Sequence, residues 1–98
     1  MKVVRDHGTT AQGAKDAVDT LLPGVLARFG SNVSNSQGAW SGDVFSFSFQ
    51  ALGFNIKGTL QVTETQVVLD AKLPLLARPF EATIRSNVEE ELDRILAE

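Results

Sequence analysis

The chain has 98 residues, with nine basic against twelve acidic side chains and a net charge of −3. This balance argues against a nucleic-acid-binding surface and against electrostatic docking on anionic membranes, because both need a basic face. There are no cysteines, so disulfides and thiolate metal sites are excluded. Length and the lack of a long apolar run predict one domain over residues 1–98, in the cytoplasm.

The first elements are a short strand and a long helix. Residues 2–5 (Lys-Val-Val-Arg) are typical of an edge strand, because flanking charges discourage edge-to-edge pairing. Apolar residues then recur at spacings of three and four between Ala14 and Phe29, which indicates a helix with one buried face. Pro23 interrupts it and excludes the carbonyl of Asp19 from a helical hydrogen bond. A kink or a break is therefore expected, and a bent helix is the interpretation we favour.

Three alternating runs follow between Val44 and Leu73. Residues 44–51, 54–62 and 67–73 place apolar side chains on every second position, with Ser, Thr, Asn and Gln on most of the others. A period of two indicates half-buried strands, and the short turns between them allow only antiparallel neighbours. Water can cover the polar face, or a second copy can cover it in a homodimer. Residues 37–41, which include Trp40, predict a further strand.

The C-terminal part predicts a second helix, whose first residue is Pro79. Its apolar stripe faces the sheet, and the acidic run Glu89–Glu91 with Asp93 is interpreted as its solvated face. The predicted order is therefore β-α-β-β-β-β-α. This is an α+β two-layer domain, with an antiparallel sheet and two helices on one face, the first kinked at Pro23.

His7 is the only histidine, and it lies between the first strand and the first helix. It could act as a general base or contact an anion beside free helix N–H groups. Its sequence neighbours supply only Asp6, Thr9 and Thr10, so local hydrogen bonding explains it more simply. No metal-binding spacing or phosphate-binding loop is present. The sequence therefore predicts no catalytic residue, no metal and no cofactor.

The segment from Leu73 to Phe80 contains more apolar residues than a connection needs. Leu75, Leu76 and Phe80 are crowded around two prolines. Two interpretations remain open: an exposed apolar patch that marks an interaction site, or a plug at the open end of the sheet. Trp40, which lies beside a polar stretch, carries the same ambiguity.

The layout as a whole resembles the polyhydroxyalkanoic acid system proteins, a small bacterial family. The resemblance covers nearly the full chain and is carried by His7 and by residues 25–30, 40–47, 54–62, 67–74 and 80–85. It implies a non-enzymatic accessory protein of polyester storage that binds the granule surface or a granule protein. No catalytic residues carry over, and Leu75, Leu76 and Phe80 are the best candidates to contact a granule.

The main alternative is a small module that binds an apolar molecule. Two helices against a curved antiparallel sheet are similar to the helix-grip folds, although this is an analogy of fold alone. That hypothesis predicts a cavity of at least about 300 Å³ bordered by Phe47, Phe49 and Ile56.

Overall fold

The structure is a computed structural model that describes residues 1–30, 33–51 and 53–96. Its strands are β1 (Lys2–Asp6), β2 (Val33–Ser41), β3 (Val44–Ala51), β4 (Phe54–Val62) and β5 (Gln66–Lys72). Its α-helices are α1 (Ala11–Val18), α2 (Leu21–Phe29) and α3 (Glu81–Leu96), with a 3₁₀-helix (Leu75–Phe80) between β5 and α3. The predicted turn residue Leu52, residues 31 and 32 and the side chain of Phe29 lie outside what the structure describes.

The strands form one antiparallel sheet in the order β1-β5-β4-β3-β2. Strands β2 to β5 are a meander in which each strand pairs with the next along the chain, and β1 pairs with β5 at one edge. The α+β class, the order of elements and the edge position of the first strand are therefore as predicted. Strand β2 is longer than predicted, because the polar stretch from Val33 extends alongside β3 with an irregularity between Ser34 and Gln37.

The first predicted helix is two helices rather than one bent helix. Helix α1 ends at Val18 with Asp19 as its C-cap, and the Thr20 hydroxyl donates to the Ala17 carbonyl at 2.7 Å. Pro23 is the third residue of α2, where a missing N–H costs no hydrogen bond. The Pro23 ring would clash with the carbonyl of Asp19, four residues earlier, if one helix continued through both residues. The chain therefore breaks between the two helices before the proline.

The helices pack on one face of the sheet over a single apolar core. The core comprises Val3, Ala14, Val18, Leu21, Val25, Phe45, Phe49, Ala51, Ile56, Leu60, Val62, Val67, Leu69, Ala71, Ile84, Val88, Leu92 and Ile95. A row of rings crosses it, with Trp40–Phe45, Phe45–Phe47 and Phe47–Phe49 centroids 5.2, 6.5 and 6.2 Å apart.

Two glycines make room for these rings. A Cβ atom at Gly58 would lie 2.7 Å from the Cζ atom of Phe47, and one at Gly38 would overlap the ring of Phe45. Both positions therefore favour glycine, because an aromatic ring from the neighbouring strand lies over the backbone and, at Gly58, the Asp70 carbonyl oxygen is equally close at 2.7 Å.

Candidate functional site

Leu75, Leu76 and Phe80 form an exposed apolar surface, here called the 75–80 patch. Their exposed fractions are 71%, 79% and 43%. The plug interpretation is therefore wrong for both leucines. Within the 3₁₀-helix Ala77 is fully buried, and its N–H donates to the Pro74 carbonyl at 2.9 Å.

The 75–80 patch is held against the rest of the domain by side-chain packing. The rings of Phe80 and Phe54 have centroids 5.7 Å apart at an angle of 44°. Phe54 is the first residue of β4, and Leu73 is half-buried and packs against the core. Sequence reasoning assigned Phe54 to the buried face of its strand and missed this contact. Its position beside the β3–β4 turn was the available signal, because residues at strand ends lie near the rim of a sheet.

Arg78 is the one polar side chain of the 3₁₀-helix. It is exposed, and within the described residues its guanidinium makes no ion pair or hydrogen bond. In a 3₁₀-helix the side chains at i and i+3 eclipse each other, so Arg78 projects on the same side as Leu75. The exposed turn therefore combines two leucines with one free cation.

The structure places Trp40 away from the 75–80 patch. Trp40 pairs with Phe45 next to the β2–β3 turn, whereas Phe54 follows the β3–β4 turn at the other end of the sheet. The Trp40 Nε1 donates to Asp19 Oδ1 at 2.7 Å, and the Lys15 Nζ lies 5.9 Å from the ring centroid. Trp40 therefore fastens α1 to β2, and the two candidate sites do not form one surface.

His7 is buried and uses both ring nitrogens. The Nε2 lies 2.8 Å from the Thr63 carbonyl, and the Thr9 N–H donates to Nδ1 at 3.1 Å. Because Nδ1 accepts, the ring is the neutral tautomer with its proton on Nε2. The His7 backbone N–H also donates to the Thr65 carbonyl at 3.0 Å. His7 therefore joins the end of β1 to the β4–β5 turn. The contact from the Thr9 N–H is local, as the sequence interpretation expects, whereas the contact with Thr63 joins residues 56 positions apart and was not predicted.

The interpretation of the acidic run on α3 as a solvated face is wrong for Glu91. Its side chain is 5% exposed, and its carboxylate accepts from Arg28 Nε at 2.9 Å and from Arg94. Hydrogen bonds from Arg94 and then Arg28 hold the pKa of Glu91 below its usual value. Arg28 also pairs with Glu90 at 2.9 Å. A Cβ atom at Gly24 would overlap the Glu91 carboxylate, so glycine permits this close contact between α2 and α3.

Glu89 and Asp93, in contrast, join α3 to β1. Arg5 Nη2 contacts Glu89 at 2.7 Å, and Arg5 Nε contacts Asp93 at 2.8 Å. Arg85 contacts Glu89 at 2.8 Å, and hydrogen bonds from Arg85 and then Arg5 lower the pKa of Glu89. The acidic side chains of α3 therefore join three separate elements, a role that spacing within one helix cannot reveal.

The space between sheet and helices is nearly filled. The apolar cavity bordered by Phe47, Phe49 and Ile56 has a volume of about 20 Å³. That volume holds about one water molecule, whereas sites for small molecules occupy about 300–1,000 Å³. Among the described residues, the predicted cavity for an apolar ligand is therefore not present at this position.

The opposite face of the sheet is open and polar, as its alternating residues predict. A shallow groove of about 680 Å³ runs across it, lined by residues that include Ser46, Thr59 and Lys57. Lys57 lies directly opposite Lys72, so like charges face each other across β4 and β5. Asp70 lies opposite Lys2 on β1 and Thr59 on β4, so a cation and a carboxylate face each other across β1 and β5.

No helix within the described ranges is long and apolar enough to cross a membrane. In the same parts of the chain no three His, Asp or Glu side chains come together as a metal site. Neither a curated protein nor a solved structure matches the sequence. A family model does match, over residues 1–96, with the description "Putative polyhydroxyalkanoic acid system protein (PHA_gran_rgn)". Since the match covers all but the last two residues, the chain belongs to this polyhydroxyalkanoic acid system family.

Proposed function

We propose that the protein is a non-enzymatic accessory protein of polyhydroxyalkanoate storage. In this proposal it acts in the cytoplasm at the polyester granule, where the 75–80 patch binds the granule surface or a granule protein. The observation that carries the proposal is the exposure of Leu75 and Leu76, at 71% and 79%, on a turn fixed by Phe80 and Phe54. Contiguous exposed apolar residues on a folded domain mark an interaction site.

The family supports the granule as the place of action, and the side chains support a binding role. His7 is occupied by two backbone hydrogen bonds, and Glu89 and Glu91 are occupied by arginines. These contacts stabilise the fold and leave the groups unsuited to acid–base work. The 75–80 patch, in contrast, contributes little to the core, so its composition is better explained by a partner.

The size of the expected effect follows from exposure. Burying a leucine fully is worth about 1.5–3 kcal/mol. Scaled by the exposed fractions of Leu75 and Leu76, contact with an apolar surface stabilises binding by about 2–4 kcal/mol. The Leu75→Asp/Leu76→Asp variant is therefore expected to bind about 30-fold to 1,000-fold more weakly.

The test is co-sedimentation of tagged protein with isolated granules, in cells that do and do not accumulate polyester. We expect enrichment of the wild-type protein on granules and its loss in the leucine variant. Ala39→Asp/Gln61→Asp is the matched control, because it adds the same two charges at exposed positions on the open sheet face. A wild-type protein that stays in the supernatant in both kinds of cell would refute the proposal.

The small-molecule hypothesis makes a different prediction. It requires an apolar ligand to enter a cavity of about 20 Å³ and push the helices from the sheet. We therefore expect small apolar molecules to leave the melting temperature unchanged. A ligand that binds the folded protein would instead raise the melting temperature with the logarithm of its concentration above the dissociation constant.

A further inference from the structure

The side chains in and around the 75–80 patch offer a hydrogen-bond donor but no acceptor. Residues 73 to 80 include four large apolar residues, two prolines and one alanine, and the single polar side chain is Arg78. A guanidinium carries only hydrogen-bond donors and no acceptor. Among the side chains of residues 73 to 80, the guanidinium of Arg78 is therefore the one hydrogen-bond donor group.

A protein partner and a polyester differ in what they offer such a surface. A protein surface presents donors and acceptors together, and a protein–protein interface normally has a polar rim that satisfies both. A polyester presents alkyl groups and ester carbonyl oxygens, so it offers apolar area and hydrogen-bond acceptors but no donors along the chain. The combination of Leu75, Leu76 and Arg78 matches the polyester.

We infer that the 75–80 patch binds the polyester itself, with Leu75 and Leu76 against its alkyl groups and Arg78 donating to its ester carbonyls. This inference rests on the proposed function and names the partner of the same site. Two features of the turn support it. Arg78 projects on the same side as Leu75, and it has no competing carboxylate partner among the described residues.

The rigid base of the patch fits a partner without a defined shape. Phe80 packs on Phe54, and Ala77 is buried, so the turn is held in place before binding. A polymer surface offers no matching pocket, and binding to it is favoured when the protein side needs no ordering.

The experiment uses the purified full chain and protein-free particles of amorphous polyester, with hydrocarbon particles of the same size as reference. Arg78→Met removes the donors and keeps an apolar side chain, and Arg78→Lys restores a donor. We expect Arg78→Met to bind polyester about three- to tenfold more weakly, since one hydrogen bond contributes about that much. Its binding to hydrocarbon is expected to be unchanged, and Arg78→Lys is expected to recover part of the loss.

Lys57→Met is the matched control, because Lys57 is an exposed cation on the open face of the sheet that forms no ion pair with any residue the structure describes. Arg78 could bind the ester carbonyls or the carboxylates at the ends of the polymer chains, and a polyester whose ends are esterified has only the former. Binding to this capped polyester is expected to persist. Loss of binding on the capped polymer would overturn the inference, as would equal losses for Arg78→Met and Lys57→Met.

The two proposals fail in different ways. A protein that sediments with native granules but not with bare polyester would refute polymer binding and leave the granule function standing, with a coat protein as partner. A protein that binds neither refutes both. Binding to bare polyester that Leu75→Asp/Leu76→Asp abolishes and Arg78→Met weakens supports both.

Discussion

The contact between Gly24 and Glu91 gives the sharpest test of the helix packing. Gly24 is the fourth residue of α2, and a Cβ atom there would overlap the Glu91 carboxylate on α3. Glu91 cannot move freely, because Arg28 and Arg94 hold both of its oxygens. Gly24→Ala must therefore break these hydrogen bonds or separate the two helices.

Gly24→Ala is expected to change the free energy of unfolding in opposite directions in the wild-type protein and in the Glu91→Ala variant. Replacing glycine by alanine inside a helix stabilises it by about 1 kcal/mol, whereas overpacking a tight contact costs about 1–3 kcal/mol. In the wild-type protein we expect Gly24→Ala to lower the free energy of unfolding by about 1–2 kcal/mol, since broken ion-pair contacts add to the overlap. In a Glu91→Ala background the overlap is absent, and Gly24→Ala should then raise the free energy of unfolding by about 0.5–1 kcal/mol.

The assay is urea unfolding of the four proteins in this double-mutant cycle, followed by the fluorescence of Trp40, the single tryptophan. Circular dichroism checks that the variants retain their helices. If Gly24→Ala stabilises the wild-type protein as much as it stabilises Glu91→Ala, the two residues do not touch, and this outcome would contradict the close contact of α2 with α3 described above.

Further expectations concern pH, His7, Trp40 and the open face of the sheet. The folded-state pKa values of Glu89 and Glu91 lie below the ordinary value of 4.5, so their stabilisation is complete above that pH and is lost as the pH falls through the folded values. Acid unfolding of Glu91→Gln should therefore show a shallower loss of stability below pH 4.5 than the wild-type protein. His7→Ala leaves two backbone groups without partners and should lower the free energy of unfolding by about 1–3 kcal/mol, with granule binding unchanged at a temperature where it is folded. Trp40→Phe removes one partly exposed hydrogen bond and should cost about 1 kcal/mol, again with no effect on granule binding; reduced binding would bring Trp40 back as a contact residue. If the open face forms a homodimer, sedimentation velocity should show concentration-dependent association that Val68→Lys weakens; a single species at all concentrations contradicts the dimer.

The sheet could be predicted from the sequence because the patterns that define its strands and turns involve residues close together in the chain. Strict alternation in β3, β4 and β5 reports one buried face, and short turns leave only antiparallel pairing. The break at Asp19 was also within reach, since the ring of Pro23 acts on a defined carbonyl four residues earlier. What the sequence did not decide was whether the chain would bend or separate there, which depends on the Thr20 hydroxyl and on packing against α3.

The contacts that sequence reasoning missed all join residues far apart in the chain. Glu91 was interpreted as part of a solvated face, but one of its two arginines comes from α2, 63 residues earlier. The sequence left open whether Trp40 is exposed for an interaction or packed within the fold, because its partner Asp19 lies on another element. The crowding of Leu75 and Leu76 could be seen, whereas their exposure depends on how the 3₁₀-helix leaves β5.

The pairing of β1 with β5 has a consequence for the order of folding. Strands β2 to β5 are sequence neighbours, so the meander can form through short loop closures, whereas β1 must close the 59-residue loop between the paired residues Asp6 and Gln66. Arg5 and His7, which hold β1 to α3 and to the β4–β5 turn, can form their contacts only after that closure. We therefore expect β1 to dock late and to detach first under native conditions. Amide protons of β1 would then exchange with solvent before those of β4, which lies at the centre of the sheet.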